Sequence, residues 1–289
     1  MLIILIKLIY IFSIGFNNFI GQEQWWNQIL YKNLASELDA HPTYVSMFII
    51  TSIVMLLGQS FHEKKYFSPV QSICIQALSL LVLILLVVKI SFVTILLLLS
   101  CYVLFLIIDK QFYVAARGLL ILFLVGFAIF QIPGVKHRLL ADFHSFQNLE
   151  LNNGIENKLK ERTALWEASL SYIKNHPFIG SSIRGVSSKS SIYSEAKSLY
   201  PQLEYEKNSH NNFLEFGVRY GILGTILFSL LIIYLLIVGF KQVSFEIIGI
   251  WILLCFFSLT ESFMFREQGI SIVAILIAIF GTRPYERDI

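Results

Sequence analysis

His210, Asn211, Asn212, Glu215 and Arg219 stand directly before an apolar run that continues to Phe240. Ionisable side chains at the edge of hydrocarbon are costly unless they are paired or used. Histidine is the side chain whose protonation changes near neutral pH. His210 is therefore a candidate general base for a hydroxyl proton. The alternative is an interfacial histidine bonded to a backbone carbonyl. Glu215 and Arg219 are spaced as an i,i+4 ion pair. A second candidate lies upstream, in ENKLKERTALWEASLSYIKNHPFIG. There Leu159, Arg162, Trp166, Leu170 and Ile173 recur at spacings of three and four, which predicts one stripe of a helix. His176-Pro177 and Gly180 end it. Arg162 thus falls on the apolar stripe, one turn before Trp166. It snorkels past the indole, pairs with a carboxylate, or aims its planar fork at an anion.

Other candidates are weaker. The stretch GSSIRGVSSKSSIYSEAKS carries Arg184, Lys189 and Lys197 among glycines and serines. It reads as a solvated loop or as a lid over a membrane-facing cavity. No strand and no Lys-Ser/Thr pair accompany it, so it is not a nucleotide phosphate loop. His137, His144, His176 and His210 show no metal-ligand spacing, and Cys74, Cys101 and Cys255 lie inside apolar runs. No metal and no cofactor is expected.

These residues need elements to hold them, and the composition says which kind. The chain has 289 residues, of which 56% are hydrophobic and 14% charged, against about a quarter charged in soluble domains. The reading is an all-α polytopic membrane protein. It has about eight transmembrane helices and one large extracytoplasmic loop containing short helices. The spans fall near 1–20, 43–60, 68–88, 90–108, 114–132, 213–240, 244–263 and 268–282, where a bilayer core requires roughly 20 mostly apolar residues per helix. The first is read as a retained helix, since it lacks a small-residue cleavage site. The division is 1–133 for N-terminal spans, 134–212 for the large loop and 213–289 for C-terminal spans with a tail. Cationic residues at 62–65, 109–117, 241 and 283–287 fall on one side, which becomes the cytoplasmic side. The 134–212 loop, Lys89 and Glu261–Gln268 then face outward. A net charge of +3 without a basic-aromatic tract leaves no case for nucleic acid.

Within the sixth span, Asn208 or Ser209 is placed to cap a helix starting at His210. On that helix His210, Leu214, Gly217, Gly221 and Gly224 share one face. Gly217-x-x-x-Gly221 predicts a small-residue seam against another helix.

These motifs resemble those of the bacterial O-antigen ligase family, which also embraces O-antigen polymerases. His210-Asn211, nine residues, then Gly221-Ile-Leu-Gly224 is similar to the family's His-Asn-x9-Gly-x-x-Gly signature. Arg162-Thr-Ala-Leu-Trp166 followed by His176-Pro177-Phe178-Ile179-Gly180 resembles its Arg-x-x-x-Trp and His-Pro-Leu-x-Gly block. Asp39-Ala-His41-Pro42-Thr43-Tyr44 resembles a His-Pro-Thr-Tyr element of ligase-like sequences. The resemblance covers roughly residues 39–282. Family members usually have about twelve spans, so the chain reads as shortened at its N-terminus. The family's outer Arg-x-x-x-Leu element corresponds by topology to Lys89-Ile-Ser-Phe-Val93, with lysine replacing arginine; Arg117-Gly-Leu-Leu-Ile121 fits the letters but falls on the cytoplasmic side.

The resemblance implies a metal-independent glycosyltransferase of the bacterial inner membrane, with its large loop periplasmic. It would transfer a glycan from an undecaprenyl-diphosphate donor to a sugar hydroxyl of a glycan or glycolipid acceptor, such as lipid A–core. His210 would be catalytic, and Arg162, Arg184, Lys89, Asn211 and Glu215 would bind substrate. Membrane lipids are the remaining partner. Three alternatives stay open: a polymerase joining repeat units, a non-enzymatic polysaccharide transporter, and an inactive truncated homologue.

Overall fold

The structure, a computed structural model, describes residues 41–62, 66–131, 158–182, 184–199, 201 and 206–281. Every regular element among them is helical. In chain order they are α1 (Pro42–Gly58, continued by a 3-10 turn Gln59–Phe61), α2 (Pro69–Leu86), α3 (Lys89–Ile108), α4 (Phe112–Gln131), α5 (Lys158–Asn175), α6 (Ser188–Leu199), α7 (Asn212–Gln242), α8 (Phe245–Thr260) and α9 (Glu267–Gly281). Seven of the expected spans fall on these helices; the expected span 1–20 lies outside the described residues. Among the described residues, four stretches are long and apolar enough to cross a membrane: Pro42–Phe61, Pro69–Leu86, Lys89–Ile108 and Asn212–Gln242. The apolar helices α8 and α9 are shorter. At about 1.5 Å per residue they fall short of a hydrocarbon layer roughly 30 Å thick.

Local chemistry fixes the helix ends. Pro69 opens α2 behind a capping box in which Ser68 and Gln71 exchange side-chain and backbone bonds; this meets two otherwise unpaired N–H groups. The turns that leave α2, α3 and α7 each contain one left-handed residue, at Val87, Lys110 and Val243.

The chain gathers into two compact units. One unit joins α1–α4 to Ile233–Phe256. Its helices alternate in direction. The rings of Phe61, Tyr102, Phe105 and Phe245 meet where α1 and α3 end and α8 begins. There His62 also bonds the buried carboxylate of Glu246. At the opposite end Ser91 Oγ on the first turn of α3 donates to Ser46 Oγ on α1, 2.7 Å away. Lys89 opens α3 at this second end, away from His62.

The other unit contains α5, α6, α7 up to Ile232, and the chain from Phe257. Leu165, Ala168 and Tyr172 of α5 pack with Ile192 and Ala196 of α6 and Val218 of α7. The α5 helix runs where predicted, but the buried face differs from the expected stripe. Leu170 is exposed, while Arg162, Trp166 and Ile173 lie at the border. The small Ala168 packs with Ile192 and Ala196 of α6 in this cluster, and that contact selects the face.

The α7 helix breaks at Gly221, where φ is 74° and ψ −171°, a conformation essentially confined to glycine. The twelve residue steps from Phe216 to Phe228 would span about 18 Å of unbroken helix. Their rings instead stack 4.6 Å apart, and Thr225 Oγ1 donates to the Phe213 carbonyl at 3.0 Å. Asn212–Tyr220 therefore folds back on the membrane helix that starts at Ile222. The small-residue face is used twice: Gly217 meets Ile173 of α5 as well as Thr225, whereas Gly224 faces Phe216, so α7 also packs on itself there.

The break exposes backbone groups, and the His176–Ser182 stretch meets them. Ile222 N–H donates to Pro177 O at 2.8 Å, Ser181 N–H to Val218 O at 2.8 Å, and Ser182 N–H to Arg219 O at 3.2 Å. A Cβ on Gly180 would lie 2.2 Å from the Arg219 backbone.

Gly221→Ala puts a Cβ 2.5 Å from Pro177 O in a backbone conformation that alanine avoids. The expected cost is about 1–3 kcal/mol, read as a melting temperature several degrees lower in detergent. Gly126→Ala, with nothing within 4 Å of the added carbon, is the control that holds the melting temperature.

Candidate active site

The site is built where the chain enters α7. His210 has a left-handed backbone, with φ 49°, so it cannot be the first residue of the helix. The helix starts two residues later. Asn211 Oδ1 accepts from Leu214 N–H at 3.2 Å and caps it, which corrects the expected cap at Asn208 or Ser209. Ser209 Oγ bonds instead to Asn211 O at 2.8 Å and Glu215 Oε2 at 3.1 Å.

Left-handed conformations in residues other than glycine persist when the surroundings over-determine them, and here several contacts do. Trp166 Nε1–H donates to Ser209 O at 2.9 Å. Asn211 N–H donates to Ser262 Oγ at 3.1 Å. Lys207 pairs with Glu161 on α5. Asn212 Nδ2 reaches Ser258 Oγ at 3.1 Å, and its Oδ1 accepts from Met264 N–H at 3.2 Å. The His210 backbone is thus held by α5 on one side and by the end of α8 on the other.

Its side chain meets Glu261. His210 Nδ1 lies 3.3 Å from Glu261 Oε2, while Arg162 Nη2 lies 3.7 Å from Glu261 Oε1. One carboxylate therefore stands between an imidazole and a guanidinium. The Arg162 and His210 side chains are 39% and 31% exposed, open enough to reach a ligand. Of the three readings of Arg162, pairing with a carboxylate is observed.

The other expected substrate residues are placed differently. Glu215 is fully buried, and four protein donors occupy its carboxylate. Ser188 Oγ and Arg219 Nε reach Oε1 at 2.6 and 2.9 Å, and Ser209 N and Oγ reach Oε2 at 3.2 and 3.1 Å. No oxygen is left for a substrate, so Glu215 holds the loop instead. Asn211 also turns inward, capping α7 and donating to Leu259 O at 3.4 Å. Arg184 lies 3.1 Å from both ring nitrogens of His176. It lines an open cleft of about 530 Å³ with Tyr172, Val186, Ser190, Ser191 and Ser194; neither His210 nor Arg162 is part of that cleft. Lys89 belongs to the first unit.

Residues 75–229 match the family model of the O-antigen ligase, more than half of the chain. The chain belongs to the O-antigen ligase family. No curated protein and no solved structure matches it. Membership and the apolar helices together make it a membrane protein of an O-antigen ligase and polymerase type. The matched stretch contains Arg162, Trp166, the His176–Gly180 block, His210 and the Gly221 break, whereas Glu261 lies beyond it. Glu261 is also the residue that sequence reasoning passed over. The available signal was its place at the edge of an apolar span, the same feature that singled out His210.

Glu215→Leu removes the acceptor from four donors, three of them on buried serines and the fourth on the half-buried Arg219. Breaking a buried pair in this way costs about 3–5 kcal/mol. The expected result is loss of folded protein from the membrane. Normal abundance and melting temperature with a raised KM for donor would return Glu215 to the substrate site.

Proposed function

We propose that this protein transfers a glycan from an undecaprenyl-diphosphate donor to an acceptor sugar hydroxyl, such as one on lipid A–core. The reaction takes place at the outer face of the bacterial inner membrane, with the 134–212 loop periplasmic. The observation that carries this reading is Glu261, shared by His210 and Arg162 at the mouths of apolar helices.

In this mechanism His210 donates its Nδ1–H to Glu261, which fixes the tautomer and leaves Nε2 as the base. The acceptor hydroxyl gives its proton to Nε2 as its oxygen bonds to the anomeric carbon of the donor. The bond from that carbon to the diphosphate oxygen breaks, and undecaprenyl diphosphate leaves with the electron pair. Arg162 faces the developing negative charge, where a planar fork suits phosphate oxygens. The carboxylate between them stabilises the imidazolium that forms. Trp166, by holding Ser209 O, positions the His210 backbone. The lipid tail lies along apolar helix surface.

The test is His210→Gln, which keeps hydrogen-bonding capacity but takes up no proton near neutral pH. Transfer from a purified lipid-linked donor should fall by roughly 10²–10⁴, with abundance and donor binding retained. A Gln variant with near-normal transfer would reduce His210 to a positioning residue. The orientation has its own check. A cysteine at Ser198, exposed on α6, should react with a membrane-impermeant thiol reagent in spheroplasts. One at Tyr66, exposed between α1 and α2, should not. Reversed labelling would move the site to the other side of the membrane.

A further inference from the structure

The locked segment beside the Gly221 break carries an apolar tip that the mechanism does not use. Phe178 is 82% exposed and Ile179 53%. Their exposure does not come from a loose chain. The residue before them accepts from Ile222 N–H, and the residues that follow are bonded to the Val218 and Arg219 carbonyls. Gly180 sits so close to Arg219 that no side chain fits there. The backbone therefore holds two large apolar side chains outward, at a position where water would be unfavourable.

The surrounding surface identifies what covers them. Ile222 is the first residue of the membrane helix. Leu223, Ile226, Leu227, Leu230 and Leu231 continue from it as an exposed apolar face. The Pro177–Ile222 bond puts the tip level with the first turn of that face. Tyr220, 41% exposed, stands at the same level, where amphipathic aromatic rings collect at membrane interfaces. Lys174 and Arg184, both exposed, flank the tip in the chain, as suits a segment resting on anionic headgroups.

We propose that Phe178 and Ile179 form a membrane-dipping tip, seated in the bilayer surface beside the start of the Ile222–Gln242 helix. Because α5 leads directly into this tip, the tip sets the height of Trp166 and Arg162 above the hydrocarbon. The occupant is the bilayer itself, and the inference stands whether or not the enzyme transfers glycan as proposed above.

The experiment places an environment-sensitive fluorophore on a cysteine at position 178, in full-length protein whose Cys74, Cys101 and Cys255 are serine. The protein is reconstituted into phosphatidylcholine nanodiscs with or without acyl-chain-brominated lipid, and no isoprenyl lipid is added. Leu227→Cys is the lipid-facing reference and Ser198→Cys the water-facing one. The expected result is a blue-shifted probe at Phe178→Cys, quenched by brominated lipid to at least half the extent seen at Leu227, with no quenching at Ser198. Ile179→Cys supplies a second position with the same expectation. No quenching at 178 and 179, while Leu227 is quenched, would overturn the proposal. So would quenching that arises only when undecaprenyl phosphate is added, since the tip would then belong to the donor's tail. Equal quenching at Ser198 would also overturn it, because the tip would have no special place.

Discussion

Backbone groups that leave a helix must find partners elsewhere, because neither hydrocarbon nor a packed interior supplies them. The break at Gly221 creates that demand, and the Pro177–Ser182 stretch meets it with three backbone bonds. Much of the second unit follows from this contact. It fastens the end of α5 to the start of the membrane helix and lets Asn212–Tyr220 fold back. It also brings the chain before Asn212 beside Trp166. Two sequence blocks separated by some forty residues are therefore halves of one joint. The glycines in each are needed because backbone approaches backbone there.

Two glutamates near this joint show how burial and partners divide the work. Glu215 is sealed and fully bonded by serines, a backbone amide and Arg219, whose guanidinium also lies 4.2 Å from the Phe265 ring. Such a carboxylate fixes geometry and has no capacity left for a ligand. Glu261 is partly open, and its two oxygens face two ionisable side chains at longer range. Such a carboxylate biases the orientation of its neighbours, whose side chains remain partly exposed. The positive φ of His210 belongs to the same design: the loop is held from both sides, and the ring projects from a backbone that cannot relax into the helix.

The polar groups of the site lie near apolar surface. Ile222, Leu223 and the exposed face beyond them start within a few residues of Arg219 and Glu215. The proposed reaction needs that adjacency, since the headgroup and tail of a lipid-linked donor must be met together.

Much of this was legible in the residues alone. Apolar run lengths located the helices, because hydrocarbon demands internally bonded backbone. The α5 helix ran from Lys158 to Asn175 because Pro177 cannot continue it. The Glu215–Arg219 pair followed from i,i+4 spacing, and charge at the edge of apolar runs singled out Arg162 and His210. What local pattern could not supply were contacts set by distant partners. The Gly221 break looks in sequence like a helix-packing seam; only the Pro177 carbonyl and the returning Phe228 ring decide otherwise. The buried face of α5 was chosen by α6, and the left-handed turn at His210 by Trp166 and Ser262. Glu261 lies fifty-one residues beyond His210, so no spacing rule joins them. The sequence determined which groups are present and where helices can form. The tertiary structure decided which carboxylate is shut away and which one meets the histidine, because that depends on how the chain folds back at a single glycine.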